Sequence, residues 1–204
     1  MNRRARRDIP CLFLYHHEKN RLSEDRARAT YRLVMVGLLL AVLAAGCGGG
    51  SAVSPTTKAP LPAGATPSTI ATMICTDKAA HELDSALGVT ATVSTPTWID
   101  HLYSCRYDYP TGAMVLSVKE LSSWKQTKSY FQQLARRMGR ARTIQNLGQG
   151  AFQTANGSMV VRKDWKVLLV DSAGLPGQFG QPPTSSGDVA VTVADVILGC
   201  WSGD

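Results

Sequence analysis

The sequence predicts an α+β fold: one antiparallel sheet with helices packed on one of its faces. Three observations predict it. Helical patterns with start and stop signals occur near residues 77–88, 123–139 and the C-terminus. Segments with strand-like alternation or tight-turn signals lie between them. The order is helix, two or three strands, helix, three or four strands, helix. Both halves thus repeat a helix followed by antiparallel strands, and a weak internal α-β-β-β duplication is part of the expectation.

Thr76 can cap the first helix. Ala79, Ala80, Leu83, Ala86 and Leu87 recur on one of its faces, and Gly88 supplies a left-handed stop. His81, beside Glu82, is a surface histidine on this helix. Residues 102–109 (LYSCRYDY) alternate as a strand, with Tyr103, Cys105, Tyr107 and Tyr109 on its core face. Pro110-Thr111-Gly112 is a turn, and 113–121 return as the partner strand. Ser123, with Gln126 three residues on, matches a capping box. Trp124, Thr127, Phe131, Leu134 and Met138 form the buried stripe of this second helix, and Gly139 ends it. Arg136, Arg137, Arg140 and Arg142 cluster at that end, where cations complement the helix dipole. Contact with anionic lipid headgroups or an acidic polymer is the functional reading of the cluster.

Residues 152–155 and 158–162 flank Asn156-Gly157, a pair that favours a type I′ hairpin. A second reversal at Lys163-Asp164 leads into 165–171 (WKVLLVD), a buried strand. Residues 174–187 read as a loop. Ser186 or Asp188 caps the last helix, with Val189, Val193, Val196, Ile197 and Cys200 inward.

The net charge of +7 is unevenly placed. Residues 1–46 carry nine Lys/Arg and four Asp/Glu, and the remainder thirteen and eleven. The leader therefore holds most of the excess, and nucleic acid, which needs a clustered basic face, is not an expected partner.

Residues 34–46 (VMVGLLLAVLAAG) are apolar and uncharged, then comes Cys47. The run is too short to span a bilayer, which needs roughly 20 residues, and suits the apolar core of a signal peptide. Arg26, Arg28 and Arg32 precede it. Small residues Ala44, Ala45 and Gly46 lie before the cysteine. The segment resembles the bacterial lipobox, although the usual leucine position holds Ala44 and Leu43 is one residue further away. The resemblance implies a diacylglycerol thioether on Cys47, cleavage before it, and an anchor on the extracytoplasmic face of the cell membrane. Residues 1–46 are thus expected to be a signal peptide, its long start explained by a start assigned too far upstream. The paired arginines Arg3-Arg4 and Arg6-Arg7 lie too far from the apolar run for a twin-arginine signal. Residues 47–68 are expected to be the lipidated cysteine and a flexible Pro/Ser/Thr linker. Residues 69–204 are a single globular domain, large enough to bury one ordinary core.

Cys75, Cys105 and Cys200 lie in the domain, which allows one bridge and one cysteine left over. The domain resembles uncharacterised actinobacterial lipoproteins and the extracellular sensor domains of actinobacterial Ser/Thr kinases. The resemblance rests on Cys75 before a helix ending in Leu87-Gly88, on Cys105 in the next strand, on LGQGAF at 147–152 before a hairpin, and on a closing helix. It implies that Cys75 pairs with Cys105, pinning the first helix to the sheet. Cys200 is then a buried free thiol, or it replaces one partner. The resemblance implies no catalytic residues.

Hydrolase chemistry needs a nucleophile, a base and an orienting acid. No GxSxG is present, and the adjacent acid–imidazole pair Asp100-His101 sits where a loop enters a strand. The Gly-rich stretch at 146–151 lacks the GK[ST] of a phosphate loop. No tight His/Cys cluster suits zinc, so neither metal nor cofactor is expected. The expected function is that of a membrane-anchored, non-enzymatic binding or sensor-like module for an envelope protein or ligand. Exposed Trp98, Tyr103, Tyr107 and Trp165 would support it. The alternative is an envelope hydrolase or a carrier of hydrophobic or lipid molecules.

Overall fold

Ser68 caps a short helix, α1 (Thr69–Met73), its hydroxyl accepting from the Ala71 N–H at 3.2 Å. The structure is a computed structural model and describes residues 60–201, all within one compact unit, Ala59–Asp204. After α1 come α2 (Asp77–Leu87), β1 (Thr92–Val93), β2 (Thr97–Ile99), β3 (Leu102–Tyr109) and β4 (Gly112–Glu120). Then follow α3 (Trp124–Met138), β5 (Arg140–Ile144), β6 (Ala151–Thr154), β7 (Met159–Lys163) and β8 (Lys166–Asp171). A small hairpin, β9 (Gln178–Phe179) and β10 (Thr184–Ser185), precedes α4 (Ser186–Cys200). The protein is an α+β fold.

The main sheet has the order β1-β3-β4-β8-β7-β6-β5, with β2 also paired to β3. Every pairing in it is antiparallel. The two meanders meet at β4 and β8, where Val118 faces Leu168 and Glu120 faces Lys166.

Helices cover both faces of this sheet, not one. The period-two alternation of β7 and β8 shows how. Met159, Val161, Leu168 and Val170 point into a core shared with Ile70, Leu83, Val189, Val193 and Ile197, that is, with α1, α2 and α4. Val160 and Val167 point the other way, into a second core closed by Phe131 and Leu134 of α3 and Phe152 of β6. Each fully buried side chain of this size contributes roughly 1.5–3 kcal/mol. The repetition between the halves therefore extends to strand order alone: α2 and α3 precede equivalent meanders but lie on opposite faces.

The helix signals expected for α2 and α3 hold. Thr76 Oγ1 accepts from the Ala79 N–H at 3.3 Å, and Gly88 closes α2 with φ 66°. Ser123 Oγ accepts from the Gln126 N–H at 3.2 Å, while Gln126 Oε1 reaches back to the Ser122 N–H at 2.9 Å. Ser185, rather than Ser186 or Asp188, caps α4, and the Asp188 carboxylate accepts from its hydroxyl at 2.7 Å.

The tight turns fall elsewhere than expected. Asn156 does not take positive φ. The Thr154 carbonyl accepts from the Gly157 N–H at 3.1 Å, and Gly157 has φ 91°. That is a type I turn followed by a left-handed glycine, a longer loop than type I′. The two-residue turns with both φ positive are Asp100-His101 (50° and 59°) and Asp164-Trp165 (49° and 59°).

The domain also begins earlier than composition suggests. The Ala63 N–H donates to the Leu121 carbonyl (3.2 Å), and Trp98 Nε1 donates to the Ala65 carbonyl (2.9 Å). Ser68 donates to buried Glu120 through both its N–H (3.1 Å) and its hydroxyl. Residues 63–68 thus belong to the folded unit rather than to the linker.

Candidate binding face

Cys47 lies outside the described residues. Cys75 and Cys105 form a disulfide with Cα atoms 6.0 Å apart, joining the start of α2 to the middle of β3. Beside it Tyr107 donates from its hydroxyl to the Ile74 carbonyl at 2.6 Å. Cys200 is disulfide-bonded too, which corrects the expectation of a free thiol. Asp100 and His101 form the β2–β3 turn. His101 Nδ1 is 3.0 Å from the Gly64 carbonyl, and its ring meets Trp98 edge-on at 5.7 Å, so the pair fixes residues 63–68 to the sheet. His81 is exposed on α2.

The aromatics named from sequence divide differently. Tyr107 is fully buried, and Trp98, Tyr103 and Trp165 are half-buried. Trp124, assigned to the buried stripe of α3, is 40% exposed, whereas Thr127, Phe131 and Leu134 are buried as expected.

Trp124 is held by a residue that sequence reasoning passed over. Arg162 leaves β7 on the α3 side of the sheet and lays its guanidinium 4.3 Å from the Trp124 ring and 5.6 Å from the Phe131 ring. Its Nη1 is buried with no hydrogen-bond partner among the described residues, and burial lowers its pKa. The LGQGAF segment makes room. The Arg162 N–H donates to the Gly150 carbonyl and the Gln149 N–H to the Arg162 carbonyl, both at 2.9 Å. Gly150 has φ 154°, and a Cβ there would stand 2.8 Å from Arg162 Nε. These glycines therefore seat a guanidinium rather than a phosphate.

Around this cluster the charge is one-sided. Residues 119–166 hold ten of the thirteen Lys/Arg beyond residue 46, but two of the eleven Asp/Glu. Seven of these cations belong to α3, to the sheet face beneath it, or to the adjoining start of β5. Lys125, Lys128, Arg136, Arg137 and Arg140 are exposed. Lys119 and Lys128 Nζ lie 6.0 Å over Tyr130 and Trp124, and Arg140 lies 5.3 Å over Phe152. Aromatic faces beneath cations are attractive contacts.

The ion pairs among the described residues are Arg106–Asp108 (2.6 Å) and Arg142–Asp188 (3.8 Å), so neither involves α3. Asp171, on the same sheet face, is engaged by the Ser158 hydroxyl at 3.0 Å and the Ala173 N–H at 3.1 Å. Helix electrostatics account for Arg136 and Arg137 in the last turn. They do not account for Lys125 in the first turn, which has no acid and where a cation opposes the dipole. The near-neutral total conceals a basic layer, because the compensating acids lie mostly in segments of the other layer.

Among the described residues, no group of three or more His, Cys, Asp or Glu is placed to hold a metal ion. Nor is any helix there long and apolar enough to cross a membrane. Comparison with protein-family models, curated proteins and solved structures gave no match.

Proposed function

We propose that the chain is an exported lipoprotein, anchored by diacylglycerol on Cys47 at the extracytoplasmic face of the cell membrane, whose domain binds an envelope component without a reaction of its own. The observation that carries this reading is the Cys75–Cys105 disulfide. Disulfides persist in oxidising compartments and are rare in the cytosol. The apolar run ending in Ala44-Ala45-Gly46 before Cys47 supplies the route to such a compartment. Two or three acyl chains give stable anchoring, where one is marginal. The basic face of α3, with Trp124 at one end, supplies the binding surface.

The test is intact and peptide mass spectrometry of the protein from membrane fractions. A mature chain beginning at an acylated Cys47 is expected, and Cys47→Ser should release the protein from the membrane. The same digest identifies the partner of Cys200. An unmodified Cys47, or Cys200 bridged to Cys47 or to Cys11 of the leader, overturns the proposal.

A further inference from the structure

We infer that the α3 face lies against anionic lipid headgroups of the bilayer that carries the anchor. The inference rests on the lipid-anchor reading and names the partner of its binding face.

Charge is the first ground. Lys125, Lys128, Arg136, Arg137 and Arg140 are exposed on or beside one helix, and no carboxylate pairs with them among the described residues. Near an anionic bilayer each such cation strengthens binding roughly fivefold.

The second ground is where the chain enters the domain. The Ala63 N–H bonds to the Leu121 carbonyl, three residues before Trp124, so the tether arrives at the N-terminal end of α3. Sixteen positions separate Cys47 from Ala63. Even fully extended, a chain of that length reaches no more than roughly 55 Å. An anchor at Cys47 therefore holds the foot of the basic helix within that reach of the headgroups. Leu61 (53% exposed) and Trp124 (40%) put apolar surface at that same end, and Trp is a side chain that settles at membrane interfaces. A soluble polymer would use the charge but would give no reason for the tether to enter at this helix.

The test uses the mature full chain reconstituted in vesicles, after the mass of Cys47 has been read. A fluorophore is placed by Gln132→Cys on exposed α3 or, in a second protein, by Ser85→Cys on exposed α2. A headgroup-borne quencher reports proximity. In phosphatidylcholine vesicles containing phosphatidylglycerol, quenching severalfold stronger at position 132 than at 85 is expected. It should vanish in pure phosphatidylcholine and at about 1 M salt, where the screening length is about 3 Å. Lys125→Glu/Lys128→Glu/Arg136→Glu should abolish it, while Lys78→Glu on α2 leaves it unchanged.

Equal quenching at the two positions, or quenching at 132 indifferent to phosphatidylglycerol, overturns the inference. So does polyphosphate that frees the 132 label at an ionic strength where chloride does not, since the face then serves an anionic polymer. If Cys47 carries no acyl group, the anchor reading falls by itself. Docking is then read by flotation of the same labelled chains, with the same lipid, salt and charge dependence expected and its absence fatal.

Discussion

The guanidinium of Arg162 stacks 4.3 Å from the indole of Trp124, tying the hairpin of β6 and β7 to the first turn of α3. A partly desolvated contact of this kind contributes about 1–2 kcal/mol. Arg162→Ala and Trp124→Ala should each lower the denaturant midpoint, and the double variant should lose less than the sum of the two. Urea melts of the four proteins measure that coupling. Strict additivity would show that the stacking contributes nothing.

Gly150 should tolerate no side chain. Its φ of 154° is a region that residues with a Cβ rarely adopt, and the added atom would meet Arg162 Nε. Gly150→Ala is expected to cost about 1–3 kcal/mol. Tryptophan fluorescence should shift at the same time, as Arg162 is displaced from Trp124. Unchanged stability with unchanged fluorescence would contradict the seating described.

The Cys75–Cys105 bridge closes a loop with a sequence separation of 30. Its removal should cost about 3–4 kcal/mol on the chain-entropy account. Cys75→Ala/Cys105→Ala, melted beside the parent, measures the loss. Hydrogen exchange should show it first in α2, which the bridge fastens to β3.

Alkali should unfold the protein through its tyrosines. Burial, and then the charge of Asp84, pushes the phenols of Tyr107 and Tyr109 far above the usual range. The fold thus favours the neutral phenols. Their contribution is fully present below about pH 10, the unfolded value, and is lost as pH rises beyond it. An absorbance titration should find these two rings un-ionised until the protein unfolds, and Tyr107→Phe should move the alkaline midpoint. Reversible ionisation near pH 10 with the fold intact would refute the burial argument.

Long elements with strong periodicity were legible in the sequence. Strand 102–109, its core face, and the caps at Thr76, Ser123, Gly88 and Gly139 rest on local rules that tertiary context did not override. The short elements α1, β1, β2, β5, β9 and β10 span two to five residues, too few for a period to register. Asn156-Gly157 carries a type I′ signature, yet the loop takes one residue more and the glycine alone turns left-handed. Asp164-Trp165 forms a two-residue turn with a bulky side chain at positive φ, which only the pairing of β7 with β8 imposes. Trp124 fits the helical stripe, but its environment is set by Arg162, 38 positions away. The basic face was hidden by summation: the cations of 119–166 cancel against acids that lie mostly in other segments of the chain. The arginines at 140 and 142 were read as a helix end, and they open a strand.

That strand bounds the sheet. On β5 four of five residues are exposed, two of them are arginines, and its register with β6 shifts between Arg140 and Arg142. At the opposite boundary β3 is lined by two fragments of two and three residues, β1 and β2. An uncovered strand is a template on which another copy can add its own. Charge and an irregular register blunt one such template, and interruption shortens the other. Copies crowded side by side on a surface would therefore meet without zipping into fibrils.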